Sequence, residues 1–254
     1  MPYEKEIEVA RRAALQAAEL ALRHQRAGLK PETKSDGSPV TIADRENEKL
    51  IAGILEQAFP LDGLIGEEGT RKESRSGRCW IIDPIDGTRD FVRGNQLWAV
   101  LIGLEADGES LAGVTHLPML GHMYYAARGT GAWRDEEPIH VSGVDSPETA
   151  VLCVNGLNRV SHQAFGGRLL GWMDNFWAIR SLGGAPDAMM LAAGEADLWI
   201  LHKAEIWDLA ALQVIVEEAG GKFFDFSGHR SIASGNAAAC VPGLEQTTLR
   251  FLER

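Results

Sequence analysis

The nonapeptide Trp80-Ile81-Ile82-Asp83-Pro84-Ile85-Asp86-Gly87-Thr88 constrains the chain more than any other stretch. Its apolar start reads as a strand, Cys79 to Ile82, running into the core. Asp83 ends that strand, Pro84 blocks ladder hydrogen bonding, and Asp86 follows three residues later beside a glycine. Two carboxylates brought this close repel each other unless a cation sits between them. The ligand chemistry is all oxygen, with neither histidine nor cysteine in the motif, which favours Mg²⁺ or Mn²⁺ over zinc. Gly87 and Thr88 then open a short helical turn whose free N–H groups could hold a phosphate. Adjacent cation and anion sites are what an in-line phosphoryl displacement requires.

Three further acidic clusters accompany this one. Thr41-Ile42-Ala43-Asp44 reads by itself as a capping box at the start of a helix. Gly66-Glu67-Glu68-Gly69 reads by itself as a solvated acidic turn. In Glu205-Ile206-Trp207-Asp208, the aspartate complements a helix dipole. Each has a structural explanation alone, and together they suggest a converging set of carboxylates.

Around these motifs the hydrophobic pattern predicts two halves. The first begins with an amphipathic helix whose stripe is Ile7, Ala10, Ala14, Ala17 and Ala21, small enough to pack against another helix. A loop or hairpin is expected over Gly28 to Pro39, then a helix from Ile42 to Ala58 with Ala43, Leu50, Ile51, Ile54 and Leu55 on its apolar face. Arg71 to Arg78 reads as an exposed loop. Strands Trp98–Leu104, Leu111–Leu117 and His122–Ala127, joined by short turns, predict an antiparallel meander. Beyond about residue 145 the pattern alternates. Strands are expected near Ala150–Val154, Phe176–Arg180, Asp197–Leu201 and Lys222–Phe226, and helices near His162–Met173, Ala185–Ala193 and Trp207–Ala219. An α+β subdomain over 1–143 and an α/β subdomain over 144–254 are expected, with the chemistry in the cleft between them.

Composition excludes other classes. The 254 residues carry 25 Lys+Arg against 36 Asp+Glu, a formal charge of −11, which argues against a nucleic-acid-coating protein. Cys79, Cys153 and Cys240 are far apart and suggest neither a disulfide framework nor a thiolate zinc site, so a reducing cytoplasm is expected. No run approaches a membrane span and the amino terminus lacks a signal-peptide pattern, so neither export nor membrane insertion is expected.

The set GSPVTIAD, GEEG, WIIDPIDGTRDF and WDLAALQVIVEEAGG resembles the inositol monophosphatase family of magnesium-dependent, lithium-sensitive phosphomonoesterases, in order, spacing and nearly full length. The resemblance implies a layered α-β-α-β-α sandwich, an α/β (α+β) fold with an antiparallel sheet and a second mixed sheet. It implies a homodimer and a small phosphorylated alcohol as substrate, with no nucleic-acid or membrane partner. By similarity Glu67, Asp83 and the carbonyl of Ile85 hold a first Mg²⁺ and Asp83, Asp86 and Asp208 a second, with Glu67 also serving a third and Mn²⁺ able to substitute. Asp44 and Thr88 match the family's acid and hydroxyl pair, which with Glu67 form the catalytic set polarising a metal-activated water. Gly87 and Thr88 amides would hold the phosphate, Gly183, Gly184 and Ala185 the alcohol, and Lys34 would complement either metal-bound water or Glu67. Where relatives carry a substrate-recognising Glu, seven residues before the WD aspartate, this chain has Leu201. Inositol monophosphate or histidinol phosphate is the expected type of substrate. Fructose 1,6-bisphosphate, a 3′-phosphoadenosine nucleotide, or a noncatalytic regulatory role on the same fold are the alternatives.

Overall fold

The protein is seen in a computed structural model describing residues 2–28, 30–34, 37, 39–160 and 162–253. Helix α1 (Glu4–Ala27) lies against α2 (Ile42–Ala58), with the pair β1 (Glu32–Thr33) and β2 (Pro39–Val40) between them in sequence. That antiparallel pair is the expected hairpin, although Leu29, Ser35, Asp36 and Ser38 lie outside the described residues. The alanine stripe is what lets the helices approach: Ala10, Ala13, Ala14, Ala17 and Ala21 are all buried against a core that includes Ile51 and Leu55.

The first sheet has eight strands: β3 (Gly63–Gly66), β4 (Arg71–Lys72), β5 (Arg78–Asp86), β6 (Ala99–Ala106), β7 (Glu109–Leu117), β8 (His122–Ala127), β9 (Ala132–Arg134) and β10 (Glu137–Ile139). The meander from β5 through β10 is antiparallel, but β3 pairs parallel to β5, so the sheet is mixed at one edge. Two local expectations are corrected here. Arg71 and Lys72 are not loop but pair with Ile65 and Leu64. Arg78 starts β5, where its guanidinium bonds Glu6 and Asp62 at 2.7 Å each and ties α1 to the sheet. A charged run in the sequence conceals such pairing, because hydrophobic pattern alone reads it as solvated.

The second sheet contains β11 (Val151–Asn155), β12 (Ala178–Arg180), β13 (Leu198–His202), β14 (Lys222–Phe224) and β15 (Asn236–Cys240), in the order β12-β11-β13-β15-β14. Its first three strands are parallel and the last two join antiparallel. The continuous helix expected over His162–Met173 is instead broken: α4 (Leu157–Val160) precedes β-free turns, and only Leu169–Met173 is α-helical, as α5. Gly166 and Gly167 interrupt it, at a helix-propensity cost of about 1 kcal/mol each. Strand β15 and a terminal helix α8 (Glu245–Glu253) were not foreseen; the run Asn236–Cys240 is mostly alanine, which carries little strand signal.

Three apolar clusters show the layers. One lies between α1, α2 and the first sheet, and one between the second sheet and α5 with α8. The third joins both sheets through α6 (Gly184–Ala192) and α7 (Ile206–Glu218). The strand period sorts the residues of β6, with Val100, Ile102 and Leu104 facing the first helix layer and Leu101 the middle one. Helix α7 presses on the sheet at Gly103 and Gly113, where an added Cβ would stand 2.7 Å from Ala210 Cβ and Ala211 O respectively. A methyl there would push α7, and Asp208 with it, off the sheet, at an overpacking cost of about 1–3 kcal/mol. The resulting arrangement is the layered α-β-α-β-α sandwich. Among the described residues no helix is long and apolar enough to cross a membrane.

Candidate active site

Asp83 and Asp86 come from β5 in the first sheet and Asp208 from the first turn of α7 in the middle layer packed on it, and one carboxylate oxygen of each lies within 4.8 Å of the others. The local chain explains how. Strand β5 does not stop at Asp83, as its proline suggested, but runs to Asp86 through a register shift against β6. Pro84 cannot donate to the ladder, so the strand bulges there, and bulges re-aim side chains. The Ile85 N–H donates to Asp83 Oδ1 at 3.0 Å and fixes that side chain. Asp208 closes a capping box at the start of α7, accepting the Glu205 N–H at 2.7 Å. Asp86 accepts the Ala185 N–H at 3.2 Å.

No cationic side chain is bonded to any of the three among the described residues. Burial, then the charges of Glu67, Asp86 and Asp208, hold Asp83 well above the usual carboxylate range. Burial likewise pushes Asp86 up to about 6, and burial with the Asp86 charge pushes Asp208 up to about 7. Hard oxygen donors clustered without a counter-charge fit a divalent cation, which would restore all three to the ionised form.

Glu67 lies outside that 4.8 Å group but lines the same cleft, of about 240 Å³, with Ile85, Gly87, Thr88 and Asp90. Lys34 donates to Glu67 Oε1 at 2.7 Å and also to Glu68, as the resemblance implied for Glu67. Glu68 is pushed up to about 7, first by burial. Ile85 offers only its carbonyl, since its side chain is buried in the helical layer.

The sequence reading missed Glu48. It is almost wholly buried on α2, one helical turn beyond Asp44, and accepts the Glu68 N–H at 2.6 Å and the Thr70 N–H at 2.7 Å. It thereby shapes the turn that carries Glu67. Gly66 makes room for it, since an added Cβ would stand 2.3 Å from the Glu48 carboxylate. The i, i+4 spacing of Asp44 and Glu48 on a face continuing to Ile51 and Leu55 was the available signal. Glu48→Ala leaves two N–H groups without partners and is expected to cost about 2–4 kcal/mol, lowering the melting temperature by ~5–15 °C. A melting temperature within about 2 °C of the parent would contradict the clamp.

Asp44 serves two purposes at once. One oxygen accepts the Thr41 N–H at 2.7 Å and the Thr41 hydroxyl at 2.6 Å, completing the capping box. The other accepts the Thr88 hydroxyl at 3.2 Å, a contact that hydroxyl shares with the Ile85 carbonyl at 3.2 Å. Burial raises the pKa of Asp44, against the bonds from Thr41. Thr88 begins α3 (Thr88–Arg93), and Gly87 precedes it as the cap.

Across the cleft, Gly183 and Gly184 open α6, and a Cβ at Gly184 would stand 3.7 Å from Asp86 Oδ2 and 3.9 Å from Leu201 Cδ2. Ala185 reaches the cleft only through its N–H, because its methyl is buried. This loop rests on buried Asp187, which accepts from Leu182 N at 3.1 Å and from the Asn155 amide at 2.7 Å, while Asn155 accepts the Trp199 indole at 2.7 Å. That support was also missed, for Asp187 reads as an ordinary first-turn acid.

A layered sandwich with a carboxylate cluster at the meeting of sheet, loop and middle helix defines a metal-dependent hydrolase of phosphate monoesters. The comparisons with known proteins make the class specific. The inositol monophosphatase family matches residues 3–250. The chain is 36% identical to a histidinol-phosphatase of Chlorobaculum parvum over 231 residues, covering 91% of this chain and 89% of that one. It is 33% identical to an inositol-1-monophosphatase of Mesorhizobium japonicum over 226 residues, 87% and 85% of the two chains. The crystal structure of the extragenic suppressor protein SuhB from Bartonella henselae superposes with a TM-score of 0.92 at 30% identity, covering 99% of both chains. The chain belongs to the inositol monophosphatase family, and it is a phosphoric monoester hydrolase.

Proposed function

We propose that this cleft hydrolyses the monophosphate of a small alcohol with the help of Mg²⁺. The observation that carries the reading is the convergence of Asp83, Asp86 and Asp208 within 4.8 Å, beside the hydrogen-bonded pair Thr88 and Asp44. Glu67, Asp83 and the Ile85 carbonyl would hold one cation, and Asp83, Asp86 and Asp208 a second, with Glu67 able to serve a third. Bound there, divalent cations supply charge neutralisation for the attacking and leaving oxygens and acidify water.

The chain's own groups do the rest. Gly87 and Thr88 present backbone N–H groups to the phosphate oxygens. The Thr88 hydroxyl, donating to Asp44, offers its lone pairs to the attacking water and passes its own proton to Asp44 as it takes the water's. Burial makes Asp44 a better acceptor for that proton. Lys34 holds Glu67 in place. The backbone at Gly183, Gly184 and Ala185 borders the space for the alcohol.

The same reading includes subdomains 1–143 and 144–254 flanking the cleft, sensitivity to lithium, a homodimer and residence in the cytoplasm, the last consistent with three free cysteines. Phosphate release from inositol monophosphate, histidinol phosphate, fructose 1,6-bisphosphate and a 3′-phosphoadenosine nucleotide tests it. Release that requires Mg²⁺ and is abolished by chelator is expected for at least one of these. No release from any at saturating Mg²⁺ would contradict it and leave a noncatalytic regulator. Thr88→Ala should lower kcat by about 10²-fold with a smaller change in KM. A change confined to KM would make Thr88 a binding residue only.

A further inference from the structure

Two of the cleft's carboxylates stand next in sequence to residues that one side chain joins in space. Gly66 precedes Glu67 in the turn between β3 and β4, and Trp207 precedes Asp208 in the first turn of α7. Arg71, the first residue of β4, touches both neighbours. Its Nη1 donates to the Gly66 carbonyl, and to the Thr70 carbonyl at 2.6 Å, while its guanidinium lies 5.8 Å from the centroid of the Trp207 ring. A guanidinium within about 6 Å of an indole face is attracted by the ring quadrupole. One exposed side chain thereby spans the first sheet and the middle helix layer beside the cleft.

The turn does not need Arg71 to keep its shape. The Gly66 carbonyl already accepts the Gly69 N–H at 3.4 Å and the Thr70 carbonyl the Gly66 N–H at 2.9 Å, while Glu48 takes the N–H groups of Glu68 and Thr70. Removing the guanidinium leaves none of these groups unpartnered, so its cost to stability is small. What Arg71 adds is a tie between this turn and the start of α7. The tie matters because Asp208 feels the charge of Glu67. Without a cation the two carboxylates repel, and the elements that carry them are pressed apart. A cation binds most tightly to oxygens already held at their final spacing.

We propose that Arg71 is a positioning residue for the cation site: its seat on Trp207 holds the Glu67 turn and the Asp208 helix together against that repulsion and so tightens divalent-cation binding. The inference rests on the cation-dependent phosphatase reading above. Arg71 touches neither cation nor ester, so its effect lies in metal affinity and not in the chemical step at saturating metal.

Calorimetric titration of chelator-stripped protein with Mn²⁺ isolates the effect, since it reads the cation without turnover. Arg71→Gln and Trp207→Leu should each raise the Mn²⁺ dissociation constant by about three- to fivefold. The double variant should be no weaker than about fivefold, because both substitutions remove one contact, whereas independent losses would multiply to about tenfold or more. Arg71→Lys, which keeps a cation over the ring, and Trp207→Phe, which keeps an aromatic face, should each lose less than their counterparts. In phosphate release, half-saturating Mg²⁺ should rise by the same factor, while kcat and KM for the ester at saturating Mg²⁺ stay within about twofold of the parent. Parent-like Mn²⁺ affinity in Arg71→Gln or Trp207→Leu, losses that multiply in the double variant, or equal losses in the conservative variants overturn the proposal, and hydrolysis by the parent then leaves the phosphatase reading intact. No release from any ester named above by a parent that binds Mn²⁺ refutes the phosphatase reading alone. A parent that binds no Mn²⁺ refutes both.

Discussion

Asp208→Asn lowers Mg²⁺-dependent phosphate release by about 10³-fold or more, and it does so without unfolding the protein. The substitution preserves shape and keeps an oxygen that can accept the Glu205 N–H, so α7 retains its cap. What it removes is one of three charges whose oxygens share a 4.8 Å group. A cation gains most from ligands that are ionised and already held in place, and an amide supplies neither the charge nor the affinity. The same loss is expected for Asp83→Asn, since Asp83 feels the charges of Glu67, Asp86 and Asp208. The accompanying stability change separates this account from simple misfolding. In chelator the asparagine variants should melt higher than the parent, because each relieves repulsion among buried acids. Parent-like turnover in either variant would remove these residues from the reaction.

The second large effect is on stability itself. Adding millimolar Mg²⁺ to chelator-treated protein should raise the melting temperature at pH 8 by on the order of 10 °C, from several kcal/mol of relieved repulsion. The gain should shrink steadily toward pH 5. Asp86 and Asp208 are pushed up to about 6 and about 7 by burial in the folded state. An acid whose folded pKa is raised holds its proton longer when folded, so its contribution to stability is full below the unfolded value near 4 and lost as pH rises through 6 to 7. Cation-free protein therefore becomes less stable over that interval, and a bound cation, displacing those protons, offsets the loss only where they would otherwise have left. Scanning calorimetry across pH with and without Mg²⁺ measures both limbs. A Mg²⁺ effect equal at pH 5 and pH 8 would contradict the linkage.

Much of the site was legible because its residue types conflict with their surroundings. Asp83 within an apolar strand and Asp86 beside a glycine have no comfortable role in a core, and both lie at the centre of the cleft. Asp44 shows why single motifs mislead: its capping role and its bond to Thr88 use different oxygens of one carboxylate. The helices α1 and α2 followed from their apolar stripes, since period and caps are local properties. What remained hidden depends on contacts distant in sequence. Glu48 is 20 residues from the N–H group of Glu68 that it binds, and Asp187 is 32 from Asn155. The charged run ending at Arg78 looked solvated because its partners, Glu6 and Asp62, lie on other elements. Strand β15, built largely of alanine, is held by its neighbours β13 and β14 rather than by propensity.

Anomalous diffraction from crystals soaked in Mn²⁺ tests the central claim most directly, because manganese takes the same oxygen ligands and is located by its own signal. Peaks bounded by the carboxylates of Glu67, Asp83, Asp86 and Asp208, and absent from Asp208→Asn crystals at the position nearest that residue, are the expected result. A cleft with no anomalous density at saturating Mn²⁺ would contradict it.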